Sequence, residues 1–206
     1  MLHALTYESM MEHLKENGSI RKCNMGILLC NPNSEFAQKE ILSRIEQFYH
    51  ASGESVDFYF PGYGAYWNDE YPDRKCIQKV NGVSWYFSEE KYREFIRKLE
   101  SISKWRYNGE SELLVISYSN GELDFSKSSM IWLDKSIKDG SIYSVSNEFE
   151  RMFKEFERGN NIIDISDKFV LKSICEVLLN HLIEKSGVCG KMFKKSKYII
   201  TKDLSL

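Results

Sequence analysis

The apolar positions of this chain keep two periods. From Met25 to Cys30 (MGILLC), and again from Glu112 to Tyr118 (ELLVISY), they run on almost without interruption. Runs of that kind suit strands covered on both faces. From Val56 to Phe60 they alternate, with Val56, Phe58 and Phe60 on one side and Asp57 and Tyr59 on the other. The alternation favours an edge strand whose Asp57 side meets solvent. Between the first strand and this one the period becomes helical. Ala37, Ile41, Ile45 and Phe48 recur on one face, and Lys39, Glu40, Arg44 and Glu46 take the other. Asn31-Pro32-Asn33-Ser34 supplies a turn and a cap, Glu35 suits the first helical turn, and Gly53 ends the helix. Strand, helix and strand make a right-handed βαβ crossover the expected arrangement.

Helical spacing returns over residues 5–17, 89–105, 145–158 and 166–185, the second of these opened by a cap at Ser88. Asn81-Gly82 and Asn120-Gly121 each separate short apolar runs, and Asn-Gly favours the type I′ turn of a hairpin. A short strand is predicted at residues 197–201, and residues 61–72 read as an aromatic surface loop. Together these signals predict an α/β fold: a three-layer-like mixed sheet with a βαβ core, two β-hairpins and flanking helices. Residues 1–161 form the α/β domain, and residues 162–206 add a C-terminal helix and tail packed on it. The element order is Rossmannoid or thioredoxin-like. It resembles the thioredoxin fold without its redox chemistry, because there is no C-x-x-C. Nor does a proline precede Glu112–Tyr118, where that fold usually places its cis-proline.

Composition narrows the function classes. A chain of 206 residues with 42% hydrophobic content suits one domain with a proper core. Its 28 basic and 30 acidic residues argue against a dedicated nucleic-acid or membrane-surface binder. No apolar run reaches the roughly 18 residues of a membrane span, and the first residues lack the pattern of a signal peptide. The five cysteines (Cys23, Cys30, Cys76, Cys175 and Cys189) are odd in number and show no paired spacing, which points to a reduced, cytoplasmic protein. The four histidines, His3, His13, His50 and His181, are far apart in sequence and none adjoins a cysteine. No metal site and no cofactor are therefore expected.

Ligands of open α/β sheets collect at the carboxyl ends of the parallel strands. Two loops are expected there, one with Asn31, Asn33 and Ser34, the other with Gly62, Tyr63 and Gly64. Ser117 and Asn120 join them if the second apolar strand runs parallel to the first. Such loops, with a helix N-terminus, suit a small anionic ligand such as a nucleotide. Pro61-Gly62-Tyr63-Gly64 is not a dinucleotide fingerprint, since Trp67 stands where the third glycine belongs. Gly187 to Met192 lacks the spacing and hydroxyl of a P-loop. Tyr66, Trp67 and Tyr71 offer aromatic anchors for a protein partner. Lys191, Lys194, Lys195 and Lys197 read as a solvated tail. No catalytic motif emerges. The expectation is a binding or interaction module for a small anionic ligand or a protein partner, with the oligomeric state open. The alternative is an enzyme acting on a nucleotide or nucleoside through Asp57 or Asp124.

Overall fold

The computed structural model describes residues 2–17, 23–52, 57–67, 69–140, 142, 144–157 and 198–206. The features expected at Gly53, at Val56 and over residues 158–197, including the 166–185 helix and the lysine tail, lie outside the described residues. In chain order the elements are β1 (Leu2–Leu5), α1 (Tyr7–Asn17), β2 (Cys23–Leu29), α2 (Ile45–Ala51), β3 (Asp57–Pro61), β4 (Tyr63–Ala65), β5 (Lys75–Val80) and β6 (Val83–Phe87). They continue with α3 (Glu89–Ile102), β7 (Glu112–Ser119), β8 (Glu122–Trp132), α4 (Leu133–Lys138), α5 (Val145–Glu157) and β9 (Ile199–Lys202).

Six strands form a mixed sheet in the order β1-β3-β2-β7-β8-β9. β1, β3 and β2 are parallel, and β7, β8 and β9 follow antiparallel. The two apolar runs, β2 and β7, sit in the middle, and Ile27, Leu28, Leu114 and Ile116 are fully buried there. β3 is not the edge strand that its alternation suggests. β1 covers its outer side, and LHAL is too short and too mixed to announce itself as a strand. Successive residues of β3 point to opposite faces. Phe58 packs on Phe153 of α5 with ring centroids 5.0 Å apart, whereas Tyr59 packs on His13 of α1 at 5.9 Å. Helices therefore cover both faces. α2 joins α5 through Phe48 and Phe149, and α1 joins α3 through Tyr7 and Phe95.

The helix between β2 and β3 is less regular than its period implies. Ala37–Ile41 is a π turn and Leu42–Arg44 a 3-10 turn before α2 begins. The π turn inserts an extra residue into the helix. Ile41 and Leu42, adjacent in sequence, are thus both buried.

Both Asn-Gly pairs have positive φ at both residues, as a type I′ turn needs: 49° and 78° at Asn81-Gly82, 54° and 86° at Asn120-Gly121. The first hairpin does not join the large sheet. β6 pairs with β4 on one side and β5 on the other, making a small antiparallel sheet. Ser88 caps α3 by accepting from the Lys91 N–H at 3.1 Å. No helix among the described residues is long and apolar enough to cross a membrane.

Candidate functional site

At the carboxyl end of β2, the loop into the following helix and the small sheet enclose a cleft of about 190 Å³. Pro32, Asn33 and Gln38 line it from the loop side, and Asp73, Lys75, Phe87 and Glu89 from the other. Asn31 shapes the loop. Its Oδ1 accepts from the Asn33 N–H at 2.9 Å, and its Nδ2 donates to Glu89 Oε2 at 3.0 Å. Ser34 Oγ accepts from the Ala37 N–H at 3.4 Å, a weak cap. Glu89 also accepts from Arg93. Asp73 accepts from the Ser88 hydroxyl at 2.7 Å and the Glu90 N–H at 3.0 Å. Burial works against the Asp73 charge, but these hydrogen bonds outweigh it and hold the carboxyl below its ordinary pKa.

The other expected residues are distributed differently. β7 is antiparallel to β2, so Ser117 and Asn120 lie at the opposite end of the sheet from Asn31, Asn33 and Ser34. Tyr63 is fully buried in β4, and its hydroxyl donates to the Cys30 carbonyl at 3.0 Å. Gly62 is packed against the backbone of Tyr92, and Gly64 against the Trp67 indole. These three positions are core, because the chain turns at Gly62 straight into β4. Trp67 is only 9% exposed and meets Tyr71 edge-on at 4.6 Å, so the aromatic segment folds back on the protein. Tyr66, at 78% exposure, points outward. Asn120 and Asp124 line a separate open hollow of about 290 Å³ at the far end of the sheet. Asp124 accepts there from the Ser126 N–H and hydroxyl. β2 and β7 separate β3 from β8, so Asp57 and Asp124 sit about 14 Å or more apart and do not share a site.

A second constellation appears where no single stretch of sequence announces one. The β1–β3 register sets His3 beside Tyr59, and Asp57 lies two residues before Tyr59 on the same face. α1 adds His13, which helical spacing places with the buried Met10 and Leu14. His3 Nε2 lies 3.0 Å from Asp57 Oδ1, with the two side chains 16% and 34% exposed. The two imidazole rings are 4.2 Å apart, and His13 Nδ1 is 3.0 Å from the Tyr59 hydroxyl. One donor atom from each of His3, His13 and Asp57 falls within 4.8 Å of the other two. Burial tends to raise the Asp57 pKa, but the hydrogen bond with His3 and nearby positive charge outweigh it and lower it. Burial, and then the charge of His3, lower the pKa of His13 against the pull of Asp57.

No known protein family, curated protein or solved structure matches this chain.

Separation in sequence is no guide to the histidines: positions 3 and 13 share no ligand spacing with position 57, and only the pairing of β1 with β3 unites them. The cluster lies toward the amino end of β3, away from the strand-end cleft. Cys30 is buried at the end of β2, and burial pushes its thiol up to about 12, against its contact with the Tyr63 hydroxyl. It is a core thiol and not a nucleophile. His50 is exposed at the end of α2.

Proposed function

We propose that the protein is a non-covalent binding module whose strand-end cleft takes a small ligand carrying both an amine and an acid group. The mixed lining of the cleft carries this reading. Asp73 and Glu89 offer carboxylates to an amine, Lys75 and Asn33 offer donors to an acid group, and Phe87 supplies apolar surface. A volume of about 190 Å³ lies below the roughly 300–1,000 Å³ usual for drug-sized ligands. Two carboxylates also repel a phosphate. Size and charge thus weigh against the nucleotide that the loops suggest. The parallel β1, β3 and β2 followed by antiparallel β7 and β8 suit a thioredoxin-like arrangement, and an inert Cys30 fits a binding role within it. A protein partner at residues 61–72 would rest on Tyr66.

Native mass spectrometry with a panel of amino acids and nucleotides tests the reading. Uptake of one small zwitterion per chain is expected, weakened about tenfold or more by Lys75→Glu, a loss of about 1.4 kcal/mol. Uptake of nucleotides only, or uptake indifferent to Lys75→Glu, would rule it out.

The enzyme reading keeps one supporting observation, the His3–Asp57 pair, which is a general acid–base arrangement. It requires nucleoside or nucleotide turnover that Asp57→Asn abolishes. Turnover that survives that substitution discards Asp57, and Asp124 is already engaged in its own turn.

A further inference from the structure

We propose that His3, His13 and Asp57 form a binding site for a divalent cation of the zinc class, with Tyr59 as its supporting residue. The donor set comes first. Two imidazoles and one carboxylate suit borderline first-row ions, whereas magnesium and calcium favour oxygen ligands throughout.

Geometry comes second. Ligand atoms about 2.0–2.2 Å from a tetrahedral zinc lie about 3.4 Å from one another. His3 Nε2 and Asp57 Oδ1, 3.0 Å apart, are already close to that spacing. The third donor is within 4.8 Å of the other two, so a modest shift of one side chain is all that the set still needs.

The scaffold holds the donors in place. His3 and Asp57 stand on neighbouring strands of one sheet, and His13 stands on a helix anchored by Met10 and Leu14. Sites on such elements keep their geometry better than sites on loops. If His13 binds the ion through Nε2, its Nδ1–H donates to the Tyr59 hydroxyl, which fixes the tautomer and the ring plane. The partial exposure of His3 and Asp57 admits an ion and leaves a fourth position for water or an outside ligand. This site lies at the opposite end of β3 from the cleft, so neither proposal depends on the other.

The test uses the full chain without a histidine tag. Calorimetric titration with zinc is expected to give one ion per chain, and cobalt(II) is expected to give the visible bands of a four-coordinate site. Tyr59→Phe should weaken zinc about tenfold or more, and His3→Ala or His13→Ala should weaken it further. Should those variants fail to fold, zinc X-ray absorption on the wild-type protein decides: two imidazoles and no sulfur are expected. Three results would overturn the site. They are no stoichiometric uptake, a zinc shell with sulfur or with fewer than two imidazoles, and an affinity unchanged in the folded His3→Ala/His13→Ala variant.

Discussion

Replacing Glu112 by Gln is expected to change the pH dependence of stability by about 3 kcal/mol between pH 4.5 and 7. Glu112 opens β7 and is 1% exposed. The Trp105 indole N–H donates to its Oε1 at 2.6 Å, and Oε2 has no hydrogen-bond partner among the described residues. Burial raises its pKa from 4.5 to about 7, and the Trp105 bond, with the Trp132 side chain on the paired strand, only partly opposes this. The folded protein therefore holds this proton more tightly than the unfolded chain. Glu112 contributes its full stability below about pH 4.5, loses it as pH rises toward 7, and changes little beyond. His13 slopes the other way, since its lowered pKa makes the unfolded chain the better proton binder below the ordinary imidazole value of 6.5. The diagnostic quantity is accordingly the difference between wild type and Glu112→Gln, from urea unfolding at several pH values. The gap should shift in favour of the variant as pH rises. Curves that stay parallel from pH 4.5 to 8 would show that Glu112 does not titrate in this window.

Gly62→Ala is expected to destabilise the protein by about 3 kcal/mol or more, through left-handed strain and overpacking. Gly62 has φ +75°, and a Cβ there would lie 2.6 Å from Tyr92 Cβ, 2.7 Å from its Cα and 2.8 Å from its N. Tyr92 is in the first turn of α3, and backbone does not step aside as a side-chain tip does. The Ser88 N–H also donates to the Gly62 carbonyl at 2.9 Å, which clamps the start of α3 to this turn. Gly82 makes the control. Its φ is +78° with nothing within 4 Å of the added methyl, so Gly82→Ala reports the strain alone, about 1–2 kcal/mol. Equal urea midpoints for the two variants would mean that the contact with α3 carries no penalty.

Much of the framework is legible because it is written locally. β2 and β7 are dense apolar runs, the hairpins carry Asn-Gly, and Ser88 stands where a cap is needed. What escapes is pairing between distant segments. Nothing in LHAL says that it lies beside β3, and nothing in β7 says that it runs antiparallel to β2. The antiparallel run of β7 leaves Ser117 and Asn120 at the far end of the sheet, and the β1–β3 pairing brings His3, His13 and Asp57 together. Tyr63 and Trp67 show a different limit. An aromatic in a turn-rich stretch reads equally well as an outward anchor or as core, and here Tyr63 is buried within β4 and Trp67 packs back on Gly64. Glu112 shows a third. A charge at the start of an apolar run looks like a strand end in solvent, yet the Trp105 indole buries it.

The placement of β9 has a consequence during synthesis. β9 pairs Ile199 with Ile131 and Lys202 with Ser128, closing the outer side of β8. Ile199 follows Trp132 by 67 positions, which a ribosome adding roughly 5–20 residues per second needs about 3 to 13 seconds to make. A β8 that completes its hairpin with β7 in that interval would show a bare row of N–H and C=O groups along Ser128–Ile131. A neighbouring nascent chain on the same message carries the identical strand, the partner that an open edge accepts most readily. The part of β8 before its pairing with β9 holds Glu122, Asp124 and Lys127, charges that make that stretch a poor partner for an intruding strand.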